Sequence, residues 1–142
     1  MRGRDSYLDH LARVPMFSAC SKKELEKIAR ASDEIHVDAG HVLVEEGKPG
    51  HEFFLILDGT ANVLRNGRKI ATLGRGQYFG ELALLDRGPR SATVKAATDL
   101  DVLVLGQREF GGVLDSVPAL SRKLLAAMAS RLREADTKAL AH

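Results

Sequence analysis

Between Asp33 and Leu105 the chain is cut into short segments rich in aliphatic and β-branched residues, with glycines at Gly40, Gly47, Gly50, Gly59, Gly67, Gly74, Gly76, Gly80 and Gly88. Segments this short, separated by turn residues at close intervals, leave no room for ordinary helices and read as a β-sandwich or barrel. Asn66-Gly67, between Ala61-Asn-Val-Leu64 and Lys69-Ile-Ala-Thr-Leu73, predicts a type I′ hairpin, because both turn residues tolerate positive φ. Its two strands are expected to wall a pocket. On either side the period turns helical. Ser21-Lys-Lys-Glu24 is a capping box that opens a helix with Leu25, Ile28 and Ala29 on one face. An earlier short helix carries Tyr7, Leu8 and Leu11 and closes at Val14-Pro15, since the residue before proline resists helical geometry; Phe17 then packs at the start of the next one. After Gly106, residues 107–115 read as a short helix, and Pro118 suits the first turn of a longer one. Leu120, Leu124, Met128 and Leu132 form an apolar stripe along it, which packs on the chain's own roll or serves as the surface of a homodimer. The 142 residues, 44% of them hydrophobic, fit one domain with a sizeable core: helices over 1–32, β-structure over 33–106 and helices over 107–142.

Residues 79–94, Phe-Gly-Glu-Leu-Ala-Leu-Leu-Asp-Arg-Gly-Pro-Arg-Ser-Ala-Thr-Val, hold the groups that grip a small cyclic phosphate diester. Gly80 lets the backbone come close to a ligand, and 81–85 reads as a short helix whose first amides, those of Glu81 and Leu82, favour an anion. Gly88-Pro89 ends that turn and leads into Arg90-Ser91-Ala92. There a guanidinium fork can pair with phosphate oxygens, and small residues leave the following amides accessible. Glu81 would repel a phosphate but accepts hydrogen bonds from hydroxyls, so its target is a sugar hydroxyl beside the phosphate. Taken singly, Gly80 and Gly88 would be turn glycines, and Glu81 with Arg90 a solvated ion pair; their coincidence in one segment points to a nucleotide with a free hydroxyl.

At these residues the chain resembles the phosphate-binding cassette of the cyclic-nucleotide-binding domain family, whose pattern is Phe-Gly-Glu-(Leu/Ile)-Ala-Leu, a short turn, then Pro-Arg-(Ala/Ser/Thr)-Ala-(Thr/Ser)-Val. The likeness extends through Pro15-Met-Phe17, Lys23-Glu-Leu25 and residues 40–63, so it covers nearly the whole chain. It implies a mainly β fold with flanking α: an eight-stranded antiparallel jelly-roll β-roll with N-terminal and C-terminal helices, the nucleotide inside the roll and the last helix able to close over the base. The resemblance also implies that Phe79, Gly80, Glu81, Leu82, Arg90, Ser91 and Ala92 form the grip. Val63 and Ile70 match the apolar residues against purine and ribose, though each would also serve as ordinary core. Arg131 matches a side chain of the last helix that approaches the base, though it would equally suit a solvated helix face.

Two positions bear on the base. Ser91 stands where many cAMP-binding members have Ala and many cGMP-binding members have Thr; Ser also occurs in bacterial cAMP binders. Ala135-Asp136 stands where a bacterial transcription activator of the family offers hydroxyls to adenine. The expected ligand is cAMP, with cGMP the alternative; a sensor that moves its helices and acts on an effector outside this chain is the expected function. An interaction domain of the same fold without useful nucleotide affinity is the competing reading.

Other classes find less support. With 21 Lys plus Arg against 19 Asp plus Glu, the charge is too balanced for nucleic acid or an anionic membrane as main partner. No apolar run nears the roughly 20 residues of a membrane span, and Met-Arg-Gly-Arg-Asp does not start a signal peptide. The lone Cys20 has no partner for an internal disulfide and reads as a small packed residue, so the cytoplasm is the expected compartment. The chain reaches His142 straight after the last helix, with no recognition helix, and direct DNA reading is not expected. His10, His36, His41, His51 and His142 include no His-x-His pair, and His51-Glu52 lacks the second histidine of a zinc motif, so no metal is expected. Without a Gly-x-Ser-x-Gly elbow or a spacing that singles out a triad, the chain is not expected to be an enzyme.

Overall fold

The computed structural model describes residues 4–86 and 88–140, with side chains at 7–86 and 88–137. Residues 1–3, Arg87 of the 79–94 segment and His142 lie outside the described residues. Helix α1 (Arg4–Ala12) is followed by extended Val14 and a single 3-10 turn at Pro15–Phe17, and α2 spans Lys22–Arg30. The strands are β1 (Asp33–Val37), β2 (Val42–Val44), β3 (Glu52–Asp58), β4 (Ala61–Arg65), β5 (Arg68–Leu73), β6 (Tyr78–Phe79), β7 (Thr93–Ala96) and β8 (Leu100–Gly106); α3 (Gln107–Ser116) and α4 (Pro118–Leu140) follow.

The strands form two four-stranded antiparallel sheets, β1-β8-β3-β6 and β2-β7-β4-β5, the eight-stranded roll with flanking helices that the family resemblance implies. Two strands carry most of the core because both of their faces are covered. Phe53, Leu55 and Leu57 of β3, with Leu103 and Leu105 of β8, pack against the helices. Phe54 and Ile56 of β3, with Val102 and Val104 of β8, face the second sheet and meet Ala61, Val94 and Ala96. Side chains alternate across a strand, so a strand covered on both faces is written as an unbroken apolar run, here Phe-Phe-Leu-Ile-Leu and Val-Leu-Val-Leu.

The hairpin between β4 and β5 turns at Asn66 and Gly67, with φ of 52° and 78°, the pair of positive values that a type I′ turn requires. Further along, Val63 pairs with Ala71 and Leu64 with Lys69, so Ile70 is the extra residue of a β-bulge. A bulge re-aims the residue it inserts, and Ile70 is 50% exposed.

The capping box of α2 is formed: Ser21 Oγ accepts from the Glu24 N–H at 3.2 Å, and Glu24 Oε1 accepts from the Ser21 N–H at 2.7 Å. Leu25, Ile28 and Ala29 are buried beneath it. Glu24 is buried as well, and Lys123 Nζ on α4 donates to its Oε1 at 2.7 Å. One carboxylate thus caps α2 and ties it to α4. Cys20, half-buried beside this pair, has its thiol pushed up to about 11 by burial first and by Glu24 second, and stays protonated at neutral pH. The apolar stripe of α4 is divided. Leu120 and Leu124 are buried against α2 and the 3-10 turn's neighbours in the core and Met128 packs partly, but Leu132 is 66% exposed.

The Lys123 hydrogen bond first, and the Ser21 N–H second, hold the Glu24 carboxyl below its ordinary value of 4.5. A depressed folded-state pKa means that the stabilisation is complete above the ordinary value and is lost as pH falls through the depressed one. Glu24→Ala is expected to lower stability by about 2 kcal/mol at neutral pH, from a lost cap contact and a lost charge-assisted hydrogen bond. Urea unfolding at a series of pH values should show the gap between variant and parent narrowing below pH 4.5, the unperturbed value.

Candidate functional site

Between the second sheet and the segment that follows β6 lies a cavity of about 350 Å³, within the range of small-molecule sites, roughly 300–1,000 Å³. Its floor is apolar, with Val44, Val63 and Val94 from the sheet and Phe79, whose ring stacks on Phe54 at 4.8 Å between centroids and 13° between planes. Gly80, at φ 80°, begins a 3-10 helix at Glu81–Leu84. The sequence predicts a short helix to residue 85; the observed one is a single 3-10 turn of four residues, ended well before Gly88-Pro89, as suits a segment too short to propagate an α-helix.

Arg90 is held at both ends. Its N–H donates to the Lys48 carbonyl at 2.8 Å and its carbonyl accepts from the Gly47 N–H at 2.8 Å, while Pro49 and Pro89 pair as an isolated antiparallel bridge. The guanidinium then runs between two glycines and donates from Nη2 to the Glu52 carbonyl at 2.9 Å. A Cβ on Gly80 would stand 2.6 Å from Arg90 Nη1 and 2.7 Å from the Glu52 carbonyl, and a Cβ on buried Gly50 would fall on the guanidinium itself. Burial pulls the guanidinium down from its ordinary value, against the opposing charge of Glu52; an arginine stays charged through such a shift. Among the described residues its one side-chain acceptor is a neutral carbonyl, so it is a partly desolvated cation that feels the Glu52 charge but has no carboxylate at ion-pair distance.

Around it are donors without acceptors. Among the described residues, the N–H groups of Glu81, Leu82, Ser91 and Ala92 have no hydrogen-bond acceptor, and all four residues line the cavity. A half-buried guanidinium and four amides without acceptors around one cavity form an arrangement that suits an anion. The Glu81 carboxylate adds an acceptor beside it and lies 3.9 Å from Arg131 Nη1 on α4. Next to them, burial first and the Glu81 charge second raise the Tyr78 hydroxyl above its ordinary value, keeping it neutral.

Of the residues singled out from the sequence, Phe79, Gly80, Glu81 and Leu82 come together with Arg90, Ser91 and Ala92 around this cavity, and Val63 faces them from β4. Ile70 does not line it: the bulge in β5 takes it out of step with Val63. The expectation that both hairpin strands wall the pocket is thereby corrected to β4 alone. Arg131 reaches the cavity's edge through Glu81. Contributors not singled out include Val44 on the floor, Gly50, the Glu52 carbonyl and Arg65, which lines the cavity and donates from Nε to the Ser91 carbonyl at 3.1 Å. Gly50 carries a faint signal in the dipeptide Pro49-Gly50; a backbone carbonyl carries none.

Away from the cavity, folding gathers a cluster that sequence spacing does not show. His36 Nδ1 lies 2.8 Å from Asp101 Oδ1, and Nε2 lies 3.7 Å from Asp38 Oδ1 and 3.9 Å from Asp99 Oδ2. The Asp101 hydrogen bond above all raises the His36 pKa. His36, Asp38 and Asp99 offer three ligand atoms within 4.8 Å of one another but are all exposed, the arrangement of a surface ion-pair cluster.

The family model described as the cyclic nucleotide-binding domain matches residues 34–116. The chain belongs to that family. This cyclic nucleotide-binding domain is similar to the cAMP-dependent protein kinase regulatory subunit of Aspergillus niger, at 40% identity over 122 residues that cover 84% of this chain and 30% of that protein. It therefore spans under a third of that relative's length. Among solved structures, it is similar to the N-terminal domain of a transcriptional regulator from Streptomyces coelicolor A3(2), at 32% identity and a TM-score of 0.85, covering 92% of this chain and 94% of that one. It is also similar to the regulatory domain of Toxoplasma gondii PKA with cAMP, at 30% identity and a TM-score of 0.70, covering 78% of this chain and 44% of that one. Among the described residues no helix is long and apolar enough to cross a membrane.

Proposed function

We propose that this domain binds a cyclic nucleotide, cAMP in preference to cGMP, and acts as a sensor that passes the binding event to an effector through its C-terminal helices. The observation that carries the reading is the Arg90 guanidinium, half-buried and without an ion-pair partner among the described residues, beside amides that lack acceptors. In it, the cyclic phosphate takes Arg90 and the N–H groups of Glu81, Leu82, Ser91 and Ala92, while the ribose hydroxyl donates to Glu81. Phe79 and Val63 supply the apolar wall for sugar and base, and Arg131 approaches from α4. The preference for cAMP is supported by the cAMP named in the relatives; Ser91, which keeps the hydroxyl of the Thr found in many cGMP binders and also occurs in bacterial cAMP binders, is compatible with either base.

The route to an effector follows from how α4 is held. Its first turns are fixed by Leu120, Leu124 and the Lys123–Glu24 ion pair, whereas residues 130–137 are exposed and Arg131 meets Glu81 at 3.9 Å. Stretched to 3.9 Å and open to solvent on the Arg131 side, this pair is worth about 1 kcal/mol. A ligand that changes the environment of Glu81 can therefore shift the free half of α4 at little cost, by an amount limited to its differential affinity for the two positions. Calorimetric titration of nucleotide-stripped protein with cAMP and then cGMP tests the reading. Saturable binding with cAMP the tighter is expected; a folded, stripped sample that binds neither sinks it and favours an interaction domain, and tighter cGMP binding reverses the ligand preference.

A further inference from the structure

A finer assignment, resting on the reading just proposed, comes from where the ladder between β4 and β7 stops. Ala61 pairs with Ala96, Asn62 with Lys95, Val63 with Val94 and Leu64 with Thr93. One step further, antiparallel register would set Arg65 opposite Ala92 and turn the backbone of residues 91–92 toward β4. The ladder instead ends, and the Arg65 side chain takes over: Nε donates to the Ser91 carbonyl at 3.1 Å. The peptide is trans, as is every described one, so the Ser91 C=O and the Ala92 N–H lie in one plane and point in opposite directions. An anchor on the oxygen thus fixes the direction of the amide, and that amide is one of those without an acceptor.

We propose that Arg65 is a positioning residue for the ligand's phosphate, holding the 91–92 peptide so that the Ala92 N–H is presented to one exocyclic phosphate oxygen. Arg65 stands on a braced hairpin. The Asn66 N–H donates to Glu46 Oε1 at 3.0 Å, and the Glu46 N–H donates to Thr93 Oγ1 at 2.9 Å, linking the hairpin tip back to the start of β7. The guanidinium therefore works from a hairpin tip tied to the start of β7, just beyond the segment it steadies. Lysine would not substitute, because its ammonium lies at the end of a longer flexible stem and lacks the fixed Nε–H on which the geometry depends.

The test compares the parent with Arg65→Ala and Arg65→Lys by titration with cAMP and with the two phosphorothioate diastereomers of cAMP, each of which has sulfur, a poor acceptor, in place of one exocyclic oxygen. Arg65→Ala is expected to weaken cAMP binding about tenfold, the scale of one hydrogen bond to a charged group, and to shrink the preference between the diastereomers, with Arg65→Lys close to Ala. Parent-like affinity overturns the proposal, and so does an equal loss for all three ligands, which would mark a diffuse charge effect. The ligand-free proteins supply an independent reading: the Ala92 amide should lose order in Arg65→Ala by its ¹⁵N heteronuclear Overhauser effect while the melting curve stays put, and an unchanged Ala92 overturns the proposal whether or not nucleotide binds. A parent that binds no cAMP while its Ala92 amide is ordered removes the proposed function instead.

Discussion

Arg90→Ala is expected to reduce cyclic-nucleotide binding at least thirtyfold and to leave the roll folded. The side chain is a partly buried cation whose one acceptor among the described residues is the Glu52 carbonyl, so removing it relieves desolvation in the free protein and costs little stability. In the complex the same removal leaves a phosphate anion enclosed without its counter-charge. Truncating one partner of a buried, hydrogen-bonded charge pair costs about 2–5 kcal/mol, which spans roughly thirtyfold to several-thousandfold in affinity. Arg90→Lys should recover only part of the loss, because an ammonium offers neither the planar fork nor the reach that lets one group serve the Glu52 carbonyl and a phosphate together. Titration calorimetry measures the affinities, and thermal melts of the free proteins establish that folding is intact. An Arg90→Ala protein that binds with parent-like affinity would mean that the phosphate is held elsewhere.

Gly50→Ala should cost nearly as much while leaving every charge in place. Gly50 has no positive φ to forbid a side chain, but its Cβ would occupy the space of the Arg90 guanidinium. Since that guanidinium is the mobile end of a flexible side chain, it yields first, swinging out of the slot between Gly50 and Gly80 and away from the Glu52 carbonyl. A loss of about thirtyfold in affinity or more is expected, taking the lower end of the charge-pair range for a cation displaced rather than deleted. The decisive comparison is the double variant. If Gly50 acts only by making room for Arg90, Gly50→Ala has no further effect in an Arg90→Ala background, and the coupling energy equals the whole effect of the glycine substitution. Additive losses would show that Gly50 serves the ligand by some other route.

The parts of the fold legible in sequence are those where one local rule settles the geometry. Ser21 and Glu24 announced a capping box because reciprocal side-chain bonds need that spacing, and Asn66-Gly67 announced a tight hairpin because few residues accept two positive φ values in succession. That residues of the segment 79–94 would gather in one place was readable because they are contiguous, and they line one cavity. Legibility failed where geometry depends on residues far apart. Ile70 looked equivalent to Val63 on the strand pattern, and only the register between β4 and β5 revealed the bulge that separates them. Gly50, forty residues before Arg90, looked like one turn glycine among many until folding placed the guanidinium against it. The apolar stripe of α4 gave no sign that Leu132 would stay 66% exposed while Leu120 was wholly buried, since periodicity marks a face but not how far along a helix that face finds cover.

The lacing of the 47–50 loop to residues 89–90 carries a kinetic consequence. The proposed grip on the ligand needs two stretches about forty residues apart to have met, and contacts between distant segments close late in the folding of a β-topology. A ligand that needs both stretches has little to hold in the folding transition state, so its stabilisation should fall on the unfolding step. Saturating nucleotide is therefore expected to lengthen the life of the native roll without hastening its formation, and a protease acting on transiently opened molecules would sense the ligand's presence as a slowed clock.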